Sequence, residues 1–255
     1  MCRWLTYMGP PILMGELIYE PEHSLIDQSH HATESKSAIN ADGVGVGWYG
    51  EWPEPGRYRQ VLPAWNDTNL RHLARHVRSH LFFAHVRAST GTAVNMSNCH
   101  PFAVDKTMFM HNGKIGAFDQ VRRPMEAAIP DAAFAYRTGT TDSEAFFLMM
   151  YNHDVEKNPG DAFRKTIEQV ERIQRDAGCA AEINMAAVLS DGERITAVRY
   201  SSDGAPPSLY WAGSGSPLTI ASEPFKTSDD DWTEVPANHV VHADSTGIGC
   251  IETLF

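Results

Sequence analysis

The fold assignment depends first on MCR at positions 1–3, because Cys2 is a candidate nucleophile. Methionine aminopeptidase removes Met1 readily when the second residue is as small as cysteine. Removal would leave a thiol and a free α-amine on one residue, so the amine could take the thiol proton and later return it to a leaving group. The α-amine titrates at about 7.7–8.0 and a free thiol at about 8.5, so both groups titrate close to neutral pH.

Composition limits the classes of protein to which the chain can belong. Its 255 residues are 42% hydrophobic and 21% charged, which is ordinary for a globular protein, and no linker divides them, so we expect one domain over 1–255. The net charge of −11 argues against nucleic acid or an anionic membrane surface as a partner. Pro10, Pro11, Gly15 and Glu16 interrupt the hydrophobic N-terminal segment, so neither a signal peptide nor a transmembrane span is predicted.

The four cysteines indicate a reducing compartment. They stand at positions 2, 99, 179 and 250, and no pair has the C-x-x-C spacing. This pattern excludes a disulfide-dense scaffold and a zinc ribbon. We therefore expect a cytoplasmic protein.

Strand and helix patterns predict an α+β fold. Short β-branched and aromatic runs predict strands, and apolar residues at helical spacing predict helices. The order does not alternate strand and helix, which disfavours a doubly wound parallel sheet and favours a pair of antiparallel sheets covered by helices. The predicted strands are 45–49, 81–87, 107–111, 184–190, 194–201, 208–212, 218–222 and 239–243, and the predicted helices are 68–80, 145–152 and 161–177.

The segment FAHVRASTG at 83–91 places an arginine at the end of an apolar strand. The planar guanidinium of Arg87 could grip a carboxylate, with hydroxyl donors from Ser89 and Thr90. The alternative is a surface arginine in an ordinary ion pair.

The segment FMHNG at 109–113 has two interpretations that are compatible with each other. Asn-Gly is a strong signal for a hairpin turn. The same turn could present the Asn112 amide and the Gly113 backbone N–H as an oxyanion hole, in which one donor is worth about 3–4 kcal/mol of transition-state stabilisation.

The segment TDSE at 141–144 predicts a capping box at the start of a helix. Thr141 and Glu144 account for the cap. Asp142 could complement the helix dipole or bind the ammonium group of a substrate.

Two further patterns are weaker. GVGWYG at 45–50 matches a dinucleotide-binding motif formally, but a proline-rich loop follows it instead of a helix, so we reject a nucleotide site. His72, His76 and His80 are spaced to share one helix face, yet H-E-x-x-H is absent and no other ligand completes a site. We expect no metal, although a metallohydrolase remains a third possibility.

Together these motifs resemble the class II glutamine amidotransferase domain of the N-terminal-nucleophile hydrolases. The resemblance covers nearly the whole chain. It rests on MCR at 1–3, NADG at 40–43, HVRAST at 85–90, HNG at 111–113 and TDSE at 141–144, and less sharply on ASEPF at 221–225 and DW…VP at 231–236.

The resemblance implies a role for each motif. Cys2 would attack the γ-carbonyl of glutamine or of a γ-glutamyl amide. Its α-amine would act as base and then acid, and Asn112 and Gly113 would form the oxyanion hole. Arg87 would hold the substrate α-carboxylate and Asp142 the α-ammonium. Thr90 and His111 would lie in the substrate-binding set. The implied fold is a four-layer αββα sandwich, and no cofactor is expected.

The motifs NCHPF at 98–102, FAHVRAST and FMHNG are most similar to two stand-alone branches of that family. One is the amidotransferase-like subunit of the fungal glutathione-degrading complex, and the other is the γ-glutamyl amidase of ergothioneine synthesis. We expect no added ammonia-acceptor domain, so we favour hydrolysis of a small γ-glutamyl substrate over transfer of ammonia to a separate partner. The competing interpretation is a partner-dependent or non-catalytic subunit that binds γ-glutamyl ligands.

Overall fold

A computed structural model describes residues 2–34, 39–89, 91, 93–179, 181–213, 215–226 and 231–255. In chain order its strands are β1 (Arg3–Leu13), β2 (Val44–Trp48), β3 (Gly56–Gln60), β4 (Arg78–Val86), β5 (Phe102–Val104), β6 (Thr107–Ile115), β7 (Ile183–Ser190), β8 (Arg194–Ser201), β9 (Tyr210–Ala212), β10 (Leu218–Ala221), β11 (Thr233–Glu234), β12 (His239–Asp244) and β13 (Gly247–Thr253).

The helices follow the same numbering. They are α1 (Gly15–Ile18), α2 (Leu25–His30), α3 (Thr68–Ala74), α4 (Phe118–Ala127), α5 (Asp131–Phe134), α6 (Asp142–Met149) and α7 (Pro159–Asp176). No helix in the described part of the chain combines the length and apolar character needed to cross a membrane.

The strands form two sheets in which neighbouring strands run antiparallel. The first sheet has the order β11-β9-β10-β1-β4-β2-β3, and the second has the order β13-β12-β8-β7-β6-β5. β1 therefore lies between β10 and β4 in the middle of the first sheet. β6 lies between β5 and β7 in the second.

Strand periodicity separates the core into layers. Successive side chains of a strand point to opposite faces of its sheet. On β1, Trp4 and Met8 join the apolar cluster between the two sheets, whereas Leu5 and Tyr7 join a cluster that contains residues of α1, α2 and α3. A third cluster packs the outer face of the second sheet against α4, α6 and α7. The predicted four-layer αββα arrangement is confirmed.

Every predicted strand has a counterpart in the structure, but the helix predicted over 68–80 is too long. α3 ends at Ala74, and β4 has begun by Arg78, which pairs with Leu13 of β1. Pairing in the sheet overrides the helical pattern of the sequence. His80 therefore lies on a strand, and the expectation that it shares a helix face with His72 and His76 is wrong.

The longest strand in the structure, β1, was not among the predicted strands. β1 spans Arg3–Leu13 although it contains Pro10 and Pro11. Its pairing with β4 shifts register between Met8 and Ile12, so the two prolines occupy a bulge, where no ladder hydrogen bond is required of them.

Trp4 provides a test of the packing between the sheets. Its side chain is fully buried, and its indole N–H donates to the carbonyl of Ala186 on β7 at 3.2 Å. We expect Trp4→Phe to lower the free energy of unfolding by about 1–3 kcal/mol, because the carbonyl of Ala186 loses a buried donor. Urea denaturation would measure the change. Trp52→Phe, at a side chain that is 77% exposed, is the control; equal effects of the two substitutions would contradict this account.

Candidate active site at the ends of β1, β4 and β6

The alternation of side chains along β1, β4 and β6 places three of the predicted site residues on the facing surfaces of the two sheets. Cys2 immediately precedes β1 and is in phase with Trp4, whose side chain points between the sheets. Arg87 immediately follows β4 and is in phase with Phe83, which also points inward. Asn112 of β6 is in phase with Met108 and Met110, which face them from the second sheet. The inner faces of both sheets thus carry a thiol, a guanidinium and an amide.

The thiol of Cys2 lies against the residue that follows Arg87. The backbone N–H of Ala88 donates to Sγ at 3.4 Å, and Sγ lies 3.5 Å from the carbonyl oxygen of Ala88, to which it can donate. Burial raises the pKa of the Cys2 thiol, while the Ala88 hydrogen bond and the charges of Arg87 and Arg3 act in the opposite direction. A proton acceptor beside Sγ would therefore be needed to form the thiolate near neutral pH.

Arg87 is buried rather than at the surface, so the alternative of a surface ion pair is wrong. Nη1 donates to the carbonyl of Asp42 at 3.4 Å, and Nη2 donates to the carbonyl of Ala93 at 3.2 Å. The Asp42 carboxylate in turn accepts the backbone N–H of Ser89 at 2.8 Å and its hydroxyl at 3.0 Å. The NADG segment thus holds the end of β4 in place. Thr90 lies outside the described residues.

The side chain of Asn112 is buried, and neither of its amide atoms hydrogen-bonds to a described residue. Buried amides without partners are uncommon, because each unmade hydrogen bond is costly. An amide held in this state on the inner face of β6 is available to a group that enters from outside the protein.

Asn112 and Gly113 lie inside β6, so the predicted hairpin turn at this point is wrong. Both residues pair with β7, opposite Ala186 and Met185. Gly113 has φ +149°, and a Cβ there would lie 1.9 Å from the carbonyl oxygen of Asn184. Glycine is required at this position by the close approach of β7, and not by a turn.

The amide of Gly113 points away from β7. Further along, the N–H of Gly116 donates to Glu182 at 2.8 Å, while that of Ile115 turns to the Asp142 carboxylate at 2.8 Å. Successive amides alternate in direction along a strand, so Gly113 shares the direction of Ile115. Its N–H therefore faces the side of β6 on which the short β5 has already ended.

His111 and Asp142 join β6 to the start of α6. The His111 ring lies 2.8 Å from the Ser143 hydroxyl and 3.2 Å from the Asn184 carbonyl. The Asp142 carboxylate accepts the N–H of Ser143 at 2.8 Å as well as that of Ile115. His111 is out of phase with Asn112, so its ring lies on the opposite face of β6. The structure brings Asp142 to the end of β6 but does not bring the His111 ring to Cys2.

Half of the predicted capping box is present. The Thr141 hydroxyl accepts the N–H of Glu144 at 3.2 Å. A capping box also requires the Glu144 carboxylate to accept the backbone N–H of Thr141, and this hydrogen bond is not present among the described residues. The carboxylate accepts the amides of Thr138 at 3.1 Å and Gly139 at 2.7 Å, and pairs with Arg137 at 2.8 Å. The buried carboxylate therefore fixes the segment that leads into α6.

Two buried histidines lie beside Arg87, and neither was predicted to be a site residue. The rings of His85 and His100 lie 4.3 Å apart, and none of their nitrogens hydrogen-bonds to a described residue. Burial, together with the charge of Arg87, lowers the pKa of His85 to about 3. Both residues occur in quoted motifs, HVRAST and NCHPF, but no rule of spacing distinguishes them from surface histidines.

Comparisons with known proteins identify the family of the chain. The family described as "Glutamine amidotransferases class-II" matches residues 22–206. The "Probable glutamine amidotransferase DUG3" of Saccharomyces cerevisiae is 32% identical over 94% of this chain and 81% of its own length. The "Gamma-glutamyl-hercynylcysteine sulfoxide hydrolase" of Mycobacterium tuberculosis is 28% identical over 97% and 95%. A solved glutamine aminotransferase class-II domain protein from Silicibacter pomeroyi superposes with a TM-score of 0.79, at 34% identity over 99% and 98%.

His85 generates a prediction about stability against pH. Its pKa in the folded protein lies below the value of about 6.5 in an unfolded chain, so unfolding takes up a proton as the pH falls from about 6.5 towards 3. His85 therefore contributes stability that is present above pH 6.5 and is lost over that window. We expect His85→Gln to reduce the slope of the unfolding free energy between pH 6 and 4 by up to about 1.4 kcal/mol per pH unit. Urea denaturation at pH 7, 6, 5 and 4 measures this slope. An identical slope in wild type and His85→Gln would contradict the prediction.

Proposed function

The chain belongs to the class II glutamine amidotransferases, and from that premise we propose that it hydrolyses the γ-glutamyl amide bond of glutamine or a small γ-glutamyl compound through a thioester on Cys2. The observation that carries the proposal is the arrangement of three groups at facing strand ends. The Cys2 thiol contacts Ala88, the guanidinium of Arg87 is buried beside it, and the buried amide of Asn112 has no hydrogen-bond partner among the described residues.

Acylation begins at the N-terminal residue after Met1 has been removed. The α-amine of Cys2 accepts the thiol proton, and the resulting thiolate attacks the γ-carbonyl carbon of the substrate. The carbonyl π electrons move to oxygen and form a tetrahedral oxyanion. Because burial raises the pKa of this thiol, a base on the same residue lowers the barrier to the attack.

Asn112 and Gly113 are proposed to stabilise the oxyanion. The buried Nδ2 of Asn112 lacks a hydrogen-bond acceptor among the described residues, and the amide of Gly113 points away from β7. Donors that are fixed before the reaction need no reorganisation as the charge develops.

The oxyanion then collapses, and the bond from the γ-carbon to nitrogen breaks. The ammonium on Cys2 gives its proton to the leaving amine, so a neutral amine departs and a γ-glutamyl thioester remains. Water attacks the thioester carbon and loses a proton to the α-amine. The second tetrahedral oxyanion collapses to glutamate, and the thiolate recovers the proton.

Arg87 and Asp142 are proposed to bind the two ends of the glutamyl group. A guanidinium binds the planar α-carboxylate through paired hydrogen bonds, and Thr90 would add a hydroxyl. Each oxygen of the Asp142 carboxylate accepts one backbone amide and keeps acceptor capacity for an α-ammonium. His111 would support binding indirectly, through its contact with Ser143 next to Asp142.

Water is the proposed acceptor, and one domain over 1–255 is the proposed unit. The named mycobacterial relative is a hydrolase of similar length, which supports hydrolysis over transfer to a second site. We also propose a cytoplasmic location, which the free thiols of all four cysteines support.

The decisive experiment measures glutamate release by protein whose mass shows an N-terminal Cys2. Glutamine, glutathione and other γ-glutamyl amides are supplied in turn, and Cys2→Ala is the control. We expect release from at least one compound and none from Cys2→Ala. A trimmed protein that binds γ-glutamyl compounds without hydrolysing any would contradict the proposal and support the binding subunit.

Asn112 gives a separate test of the oxyanion hole. We expect Asn112→Ala to lower kcat about 10²–10³-fold while KM changes little, because the amide acts on charge that develops only in the transition state. Steady-state kinetics on the substrate found above would measure both constants. Asn152→Ala, at an exposed asparagine whose side-chain amide donates to the Ala128 carbonyl, is the matched control. A loss confined to KM would contradict an oxyanion role.

A further inference from the structure

Arg3 lies on the opposite face of β1 from Cys2 and is fully buried. Its Nη1 donates to the carbonyl oxygen of Cys2 at 3.2 Å. Its Nε lies 2.8 Å from Oε2 of Glu223, whose side chain is 1% exposed. One guanidinium thus connects the backbone of the proposed nucleophile to a buried carboxylate that lies 220 residues further along the chain.

The segment that contains Glu223 runs along the start of β1, on the side away from β4. The N–H of Trp4 donates to the Ser222 hydroxyl at 2.9 Å, and the N–H of Ser222 donates to the Trp4 carbonyl at 3.0 Å. Ala221 pairs with Leu5 in the adjoining part of the ladder. The position of the Glu223 carboxylate is therefore fixed by the central sheet itself.

Glu223 also holds the loop that follows α2. Its carboxylate accepts the N–H and the hydroxyl of Thr33, both at 2.8 Å, and the N–H of Glu34 at 3.0 Å. The ring of His23 lies 2.6 Å from Oε1. Burial alone would raise the pKa of Glu223, but the hydrogen bonds from Thr33 and His23 lower it, so the carboxylate is ionised at neutral pH.

We propose that Arg3 and Glu223 are positioning residues, which orient Cys2 by fixing its carbonyl group and which connect that orientation to the loop at 33–34. The inference rests on the proposed function, because it assigns a task at the same nucleophile. It also gives a role to two motifs that the proposed mechanism does not use, the arginine of MCR and the glutamate of ASEPF.

The physical need for such positioning arises when Met1 is removed. Residue 2 then becomes the end of the chain, and no preceding peptide restricts it. Ordering the backbone of a residue costs conformational entropy. The described structure anchors Cys2 at two points, the contact of Sγ with Ala88 and the hydrogen bond from Arg3 to its carbonyl. Two anchors on opposite sides of the residue determine the directions of both the thiol and the α-amine.

Steady-state kinetics of the full, Met1-trimmed chain test the proposal. For both Arg3→Met and Glu223→Gln we expect kcat to fall at least about 10-fold with KM changed less than about 2-fold, because a small displacement of the reacting atoms is costly while Arg87 and Asp142 still bind substrate. Arg3→Lys should lie between wild type and Arg3→Met, since a single ammonium keeps the charge but cannot serve both acceptors as a guanidinium does.

Asp67→Asn is the matched control for the loss of a buried carboxylate. Asp67 is 4% exposed, accepts the N–H of Leu70 at the start of α3 and bonds to the Tyr58 hydroxyl. We expect a lower Tm but an unchanged kcat for this variant. All activities are measured well below the lowest Tm of the set. Equal kcat values for Glu223→Gln, Arg3→Met and Asp67→Asn would overturn the proposal while leaving the proposed function intact.

Alkylation of Cys2 by iodoacetamide gives a readout that needs no turnover. The cations whose charge acts on the thiol are Arg87 and Arg3, together with the α-amine that trimming creates on Cys2 itself, and burial raises the pKa of the neighbouring Cys99 thiol. Arg3→Met should shift the pH midpoint of alkylation upward, because it removes a cation. Glu223→Gln should shift it downward, because it leaves the Arg3 charge without its counter-ion.

A loss of packing alone would move both midpoints in the same direction, and that outcome would overturn the proposal. Peptide mass spectrometry confines the measurement to Cys2. If wild type hydrolyses no γ-glutamyl compound, the proposed function fails, yet opposite shifts of the two midpoints would still support the pairing of Arg3 with Glu223 as the device that orients Cys2.

Discussion

The hydrogen bond from the Trp4 indole to the Ala186 carbonyl joins the two sheets where the candidate site forms. Trp4 is two residues from Cys2 on the same face of the first sheet, and Ala186 stands opposite Asn112 in the second. A shift of one residue in either strand would turn Cys2 or Asn112 to the outer face. The relative placement of thiol and amide is therefore a property of how the sheets pack, and no local motif contains it.

Buried charge is the second constraint on this region. Arg3, Arg87 and Glu223 are nearly inaccessible to water. Arg87 and Glu223 are each held by several hydrogen bonds, and Arg3 is held by its hydrogen bond to the Cys2 carbonyl and its ion pair with Glu223. Burying a charge is unfavourable unless it is well paired, so these contacts leave each group a single arrangement. His85 and His100 meet the same requirement differently, because burial keeps both rings neutral.

Sequence reasoning succeeded where a residue's surroundings are local. The strand over 194–201 and the start of α6 follow from β-branched runs and a threonine cap. It failed where distant segments decide the outcome. In sequence Asn112-Gly113 is a turn signal, but pairing with β7 makes both residues part of β6. The helical pattern of α3 likewise continues past Ala74 in the sequence, whereas the pairing of β4 with β1 ends the helix there. The pairing of Arg3 with Glu223 has no local signal at all. The roles of Cys2, Arg87, Asn112, Gly113 and Asp142 remain predictions that the geometry supports.

The central claim is that hydrolysis passes through a thioester on Cys2. Its most direct test is mass spectrometry of the trimmed protein, quenched with acid during turnover of a γ-glutamyl substrate and digested into peptides. The account predicts a γ-glutamyl adduct on the peptide that begins with Cys2, and its loss from Cys2→Ala. An adduct on the peptide that contains Cys99, or continued turnover by Cys2→Ala, would contradict it.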